Sequence, residues 1–257
     1  FYSCLYRTLL FPREFYEFDA QGKPVYYSPY NGKIQDGYMY TDNGFWDTFR
    51  AVHPLFTLLY PEVSERVTQS ILNAYDESGF MPEWASPGHR ECMIGNNSIS
   101  LLTDAWMKGI RTICPEKALE AMIHQTEARH PGISSVGRDG FGYYDRLGYV
   151  PYPEVHEATA KTLEYAYADW CVARFADSIG RKEIADTYYR KALNYRNLYY
   201  PDYGFMWAKD ANGKWRDAFD STEWGGPFTE GSSWHWTWSV LHDPEGLSRL
   251  MGGHTAM

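Results

Sequence analysis

The sequence predicts an all-α chain, built as a toroid of helical hairpins with short β-hairpins in its loops. Three observations predict it. Amphipathic stretches come in pairs: 46–59 with 62–77, 96–111 with 116–129, and 154–179 with 181–199. Each pair is split by a breaker (Pro61, Cys114-Pro115 or Gly180), and a short link between amphipathic helices makes them antiparallel neighbours. A Gly-aromatic pattern recurs at Gly37-Tyr38-Met39, Gly79-Phe80-Met81, Gly140-Phe141-Gly142 and Gly204-Phe205-Met206. The irregular spacing excludes a short-repeat solenoid and fits a toroid whose long loops share one rim, with chance recurrence of so short a pattern as the alternative.

The elements follow in order. Residues 1–10 read as an apolar helix that starts abruptly, as in a fragment whose beginning is missing. Asp19-Ala20-Gln21-Gly22-Lys23 and Asn31-Gly32 carry the chemistry of tight turns between short strands. The 46–59 stripe stops at Pro61 and the 62–77 stripe at Gly79. After the second and third pairs, Asp210-Ala211-Asn212-Gly213-Lys214 repeats the turn chemistry. The stretch from Asp210 to Asp217 lacks the acidic spacing of a calcium loop, so a hairpin turn is the better reading. A last helix starts near residue 231.

Composition narrows the function. A chain of 257 residues can bury a large core as one domain or two. Aromatics are 18% of the residues, which suits either a large aromatic core or a sugar-facing surface. The net charge of −9 argues against nucleic acid, whose phosphates need clustered Lys and Arg. No apolar run is long enough to span a membrane. Cys4, Cys92, Cys114 and Cys171 are scattered without CxxC spacing, so neither a zinc site nor a redox motif is supported. His156-Glu157 is followed by Ala160 where a zinc protease needs His. Nucleophile-elbow, phosphate-loop and dinucleotide motifs are missing too. Carboxylate chemistry remains.

Two clusters offer it. Glu230 stands in Phe228-Thr229-Glu230-Gly231-Ser232-Ser233-Trp234-His235-Trp236, and Trp224 lies upstream. A general acid at neutral pH needs its pKa raised by apolar surroundings, while a helix N-terminus acts in the opposite sense. The plain alternative is that Glu230 only caps a helix. In Trp46-Asp47-Thr48-Phe49-Arg50, helical spacing puts Trp46 and Arg50 on one face with Asp47 beside them. Asp47 would accept from two sugar hydroxyls, Arg50 would hold an oxygen and Trp46 would wall the ring; an Asp cap and a surface Arg are the alternative. Glu164, Tyr165 and Asp169 read as helix-orienting groups. His242 and Asp243 read as capping or pocket-lining, and Glu83 and Trp84 as rim-loop residues that either touch substrate or only pack.

Ordered blocks along nearly the whole chain resemble the α-mannosidases of glycoside hydrolase family 92. They are Phe45-Trp46-Asp47-Thr48-Phe49-Arg50-Ala51-Val52-His53-Pro54, Gly95-Asn96-Asn97-Ser98 with Asp104-Ala105-Trp106-Met107-Lys108-Gly109-Ile110, Lys161-Thr162-Leu163-Glu164-Tyr165-Ala166-Tyr167-Ala168-Asp169-Trp170, Gly204-Phe205-Met206, Phe228-Thr229-Glu230-Gly231 and His242-Asp243-Pro244-Glu245-Gly246-Leu247. The resemblance implies that residues 1–257 are the first part of an (α/α)6 catalytic domain, an incomplete toroid. An N-terminal β-sandwich and the C-terminal remainder of the barrel would belong to the same protein outside this chain.

By the same resemblance the activity is calcium-dependent, inverting, exo-acting hydrolysis of α-mannosides in N-glycans or mannan, in the periplasm or outside the cell. Glu230 would be the acid, and Trp46, Asp47, Arg50, Trp234 and His235 would bind substrate. The base and most Ca2+ ligands are expected downstream in motifs this chain does not contain, so no metal ligand is assigned here and the chain alone is expected to be inactive. His235 and Trp236 depart from the Gln and Tyr expected after the tryptophan. Trehalase-like or glucoamylase-like hydrolases, or a non-catalytic carbohydrate-binding module, are the alternatives.

Overall fold

The computed structural model describes residues 1–257, of which 45% are helical. The chain divides into two compact units. The first holds Phe1–Arg138 with Ser178–Gly180; the second holds Asp139–Asp177 with Arg181–Met257.

The first unit opens with α1 (Tyr2–Thr8), shorter than the predicted 1–10 and without a buried residue. Paired short strands follow. β1 (Arg13–Glu14) joins β5 (Tyr40–Thr41), and β2 (Glu17–Phe18), β3 (Pro24–Tyr27) and β4 (Ile34–Asp36) form an antiparallel sheet. The predicted turns connect this sheet. Asp19 Oδ1 accepts the amides of Gln21 and Lys23, both at 2.8 Å, and Asn31 Oδ1 accepts that of Lys33. An Asp carboxylate or Asn amide oxygen that mimics a backbone acceptor closes such turns.

β6 (Asn43–Gly44) leads into α2 (Phe45–Thr48) and α3 (Val52–Leu59). One helix over 46–59 was predicted; the structure has two. Pro54 supplies a reason, because it has no N–H for the Arg50 carbonyl and its ring disfavours a continuous helix through 49–51. α4 (Pro61–Ser78) starts on a proline at its first position and ends at Gly79, φ 82°. Its apolar stripe puts Val67, Ile71, Leu72 and Ala74 inside. β7 (Trp84–Ala85) pairs with β6, and α5 (Asn97–Met107) and α6 (Pro115–Glu127) complete the unit. α4 packs on α3, α5 and α6. Met39, Phe56, Met81, Ile99, Leu102 and Met122 are almost wholly buried there.

The second unit begins with α7 (Phe141–Leu147), which the sequence pattern left as loop. Gly140 opens this helix directly. α8 (Ala158–Ser178) starts later than the predicted 154 and is buried at 15 of its 21 positions. Its small side chains, among them Ala160, Ala166, Ala173 and Ala176, are fully covered. A narrow stripe through Tyr167, Trp170, Arg174 and Asp177 reaches solvent, and a helix covered over most of its circumference keeps little polar face, which explains its weak amphipathic pattern. α9 (Lys182–Lys191) is shorter than the predicted 181–199, because a 3₁₀ turn at Asn194–Leu198 and β8 (Tyr199–Tyr200) take over. β8 pairs with β9 (Phe205–Met206), and α10 (Ser233–Trp236) and α11 (Pro244–Leu250) follow. Phe175, Tyr195, Trp207 and Phe228 form the bulk of this interior.

Candidate active site

The 43–50 segment belongs to the first unit and is fixed from two sides. The Phe45 amide, at the start of α2, donates to the Glu83 carbonyl at 3.0 Å. Asn43 is 4% exposed, and its Oδ1 accepts the Thr48 hydroxyl at 2.7 Å and lies 3.1 Å from His53 Nε2. Burial pushes the His53 imidazole down to about 3, so the ring is neutral and Nε2–H donates. This buried set orients the outward groups. Trp46 is half-buried, and Asp47 and Arg50 are exposed. The shared helix face of Trp46 and Arg50 is corrected: α2 ends at Thr48, and Arg50 lies in the turn beyond it, its guanidinium 4.6 Å from the Phe49 ring centre.

Glu83 also departs from its expected place. The sequence reads it as a rim-loop residue that touches substrate or only packs, yet it is 1% exposed. Its carboxyl accepts the Ser98 amide at 3.0 Å, the Ser98 hydroxyl at 2.8 Å and Gln125 Nε2 at 3.0 Å. Burial pushes its pKa up to about 7, against these donors, which favour the charged form. One residue thus ties α5 and α6 by its side chain and α2 by its carbonyl. Glycine and aromatic neighbours in the sequence gave no hint of it; the donors come from 15 and 42 residues away.

The 223–238 segment belongs to the second unit. Its carbonyls cap α8: Pro227 O accepts the amides of Thr159 and Ala160 at 3.0 and 3.2 Å, and Gly226 O accepts that of Glu157 at 3.1 Å. These are donors a helix start leaves without internal partners. The loop closes on itself through Gly225 N to Gly231 O at 2.9 Å. Phe228, 1% exposed, anchors it in the core. Trp236 Nε1 donates to Thr229 O at 2.8 Å. A Cβ on Gly231 would lie 3.1 Å from that indole nitrogen, so the close crossing suits glycine.

Glu230 sits between these anchors with φ 46°, an uncommon backbone region for a non-glycine residue. Its side chain is exposed. The cap reading of Glu230 is overturned. Ser232 is the cap of α10, and His235 completes a capping box, with Nδ1 accepting the Ser232 amide at 3.1 Å. Nδ1 must carry a lone pair for this, so neutral His235 holds its proton on Nε2. Trp224 packs edge-on to the same ring, at 5.4 Å. The apolar envelope proposed around Glu230 is also corrected. Phe228 and Trp236 are buried, but Trp224 and Trp234 are 66% and 53% exposed, so this chain alone does not enclose the carboxyl.

The structure therefore gathers Trp46, Asp47 and Arg50 in one unit and Glu230, Trp234 and His235 in the other. The remaining polar blocks are architectural. Asp169 accepts the Tyr144 hydroxyl at 2.8 Å, and Tyr165 donates to the Asp139 carbonyl. Asp243 caps α11 and accepts from Tyr195 and Arg196; burial works to raise its pKa, but these hydrogen bonds hold it below the usual carboxylate range. His242 is 2.8 Å from the Ala192 carbonyl, and burial lowers its pKa.

A calcium ion takes six to eight oxygen ligands. No three His, Cys, Asp or Glu side chains converge as a cation site. The acidic 210–217 stretch is a hairpin instead: Asp210 Oδ1 accepts the Asn212 and Lys214 amides, and Asp217 pairs with Lys214. The residues present do not fit a calcium cage.

Comparison with known proteins gives a consistent answer. Residues 1–257 match the glycosyl hydrolase family 92 catalytic domain. An inverting mannosidase of that family from Bacteroides thetaiotaomicron VPI-5482 is 84% identical, with a TM-score of 0.99, over 100% of this chain and 35% of that one. A family 92 α-mannosidase from Bacteroides thetaiotaomicron is 32% identical, with a TM-score of 0.88, over 98% of this chain and 33% of that one. An uncharacterized secreted glycosidase of Arthroderma benhamiae is 24% identical over 99% of this chain and 32% of its own length. The chain spans about a third of the length of these relatives. The match along its whole length establishes that it belongs to glycoside hydrolase family 92.

Proposed function

We propose that the chain is part of the catalytic domain of an exo-acting, inverting α-mannosidase that trims N-glycans or mannan. Glu230 is its general acid. The observation that carries this is the posture of Glu230: an exposed carboxyl on a left-handed residue, pinned on both sides by buried anchors and flanked by Trp234 and outward-facing His235. Strain of this kind persists only where surrounding structure over-determines it, and it concentrates at active sites. The names of two close structural relatives supply the substrate class.

In the mechanism Glu230 gives its proton to the glycosidic oxygen as the bond to the anomeric carbon breaks. Water enters from the opposite ring face, activated by a second carboxylate roughly 6.5–9.5 Å from the first. That base lies in the rest of the protein. Asp47 and Arg50 hold hydroxyls of the departing mannose, with Trp46 as a wall. His235 Nε2–H and the Trp234 face contact substrate beside the acid. The rest of the protein, comprising a β-sandwich and the remainder of an (α/α)6 toroid, closes the apolar surroundings that Glu230 lacks here. Calcium dependence belongs to the same reading, with ligands outside this chain. A periplasmic or extracellular setting is supported by the secreted relative.

The experiment is Glu230→Gln in the full-length protein, assayed on a mannobiose and on an activated aryl mannoside. General acid catalysis is worth about 10²–10⁴ in rate. Turnover of the mannobiose falls by about that factor, and turnover of the aryl mannoside falls far less, because a good leaving group barely needs the proton. Equal loss on both substrates removes Glu230 from the acid role.

A further inference from the structure

We propose that the segment from Tyr200 to Phe219 forms a second carbohydrate subsite, which holds a hexose of the leaving-group glycan. The proposal rests on the mannosidase reading and adds where the remainder of the substrate lies. A concave pocket of about 450 Å³ is lined by the Tyr200–Tyr203 turn and by residues 213–219. That volume lies within the range of small-molecule sites.

The aromatic rings around it have distinct parts. Trp215 stacks on Tyr200, with centres 4.4 Å apart and planes 7° apart, and Lys209 Nζ lies 4.1 Å over the indole. A ring already stacked at that distance leaves no room for an ammonium on the same face, so Trp215 is covered on both. Tyr203 is different. It stacks on Phe219 at 4.2 Å yet remains 52% exposed. One face of Tyr203 is therefore held and the other is open. Phe219 packs at 4.9 Å against Trp207, which is fully buried, so the open face rests on the core. A pyranose presents C–H bonds on one side and hydroxyls at its edge. A rigid aromatic face with a charged border suits it, and here the border is the Lys214–Asp217 pair at 2.8 Å. Ala218, at the same wall, has φ 55°, one of five non-glycine residues in the left-handed region together with Asp42, Met93, Glu157 and Glu230.

The position of the pocket assigns the ligand. Phe219 lies 5.9 Å from Phe205, and Phe205 lies 4.8 Å from Trp234 on α10. Trp234 Nε1 donates to Ser221 Oγ at 3.2 Å, which ties the pocket segment to the helix that follows Glu230. An acid that protonates the glycosidic oxygen works on the leaving-group side of the bond. Aromatic surface that runs on from its loop is placed for the leaving sugar.

The test uses the full-length protein with Tyr203→Ala and Asp217→Ala, two exposed positions, with melting curves to verify folding. The readout is the ratio of kcat/KM on a mannan oligosaccharide to kcat/KM on an aryl α-mannoside, together with oligosaccharide binding by calorimetry. An aromatic contact of this kind is worth about tenfold. The ratio falls about tenfold in Tyr203→Ala and by about threefold in Asp217→Ala, carried by KM. Aryl mannoside turnover with an unmoved ratio in both variants overturns the subsite and leaves the mannosidase reading standing. Oligosaccharide binding that depends on Tyr203, without turnover of any mannoside, supports the subsite and overturns that reading. Absence of both turnover and binding overturns both.

Discussion

Glu83 places an ionisable group where only long-range packing can put it. Its pKa of about 7 in the fold stands above the ordinary 4.5, so the native state holds the proton more tightly than the unfolded chain. Its contribution is fully present below pH 4.5, declines as pH rises towards 7 and is gone above that. The linkage amounts to about 3 kcal/mol across that window. In Glu83→Gln the amide turns an N–H towards Gln125 Nε2 or loses an acceptor for Ser98, a cost of about 1–3 kcal/mol. Urea unfolding of both proteins between pH 4.5 and 8 is the measurement. The stability gap is widest at pH 4.5 and narrows as pH rises; a gap independent of pH shows that Glu83 does not titrate in this window. The carboxylate pair Asp47 and Glu230 could be picked out as chemical candidates from residue type and neighbours. Glu83 could not, because its donors sit on α5 and α6.

At the scale of elements, helix ends decide where the outward groups stand. Gly79 terminates α4 in the left-handed conformation, and a Cβ there would meet nothing within 4 Å. Gly79→Ala therefore costs only the backbone strain, about 1 kcal/mol, seen as a lower urea midpoint with an unchanged slope. A loss of several kcal/mol means that a steric clash, not backbone conformation, dominates. Ser232 caps α10 and shares the capping box with His235. Ser232→Ala costs about 1 kcal/mol. It also removes the hydroxyl that lies 3.2 Å from His235 Nδ1, while the backbone amide of residue 232 still donates to that nitrogen; the loop bearing Glu230 loses one anchor, so turnover by the full-length protein falls more than stability alone explains. Unchanged kinetics separate the box from the acid. The start of α4 at Pro61 and the Asp210 turn were legible because turn and cap chemistry is local. The break at 49–51 was missed, because the 46–59 stripe keeps its period across it. α7 and α11, seven residues each, are too short to show a period.

For the molecule as a whole, the chain carries an acid candidate without the base and cation ligands assigned to the rest of the protein. Isolated residues 1–257 are expected to show no mannoside hydrolysis with calcium, while the full-length protein hydrolyses mannosides with it. Robust calcium-independent activity of the isolated chain overturns that division. Phe1, Tyr2 and Tyr6 are 90%, 81% and 66% exposed. Limited proteolysis of the isolated chain should cut first around α1, which buries nothing in its own unit. The sequence by itself determined the family, the largely helical class, the turn positions and the candidate residues, since periodicity, turn chemistry and ordered motifs are properties of neighbours along the chain. Tertiary structure alone decided which carboxylate is buried and which exposed, that Ser232 rather than Glu230 caps α10, that Arg50 leaves the helix of Trp46, and that Tyr203 keeps an open face. Burial and hydrogen-bond partners depend on residues tens of positions apart, and no local pattern encodes those distances.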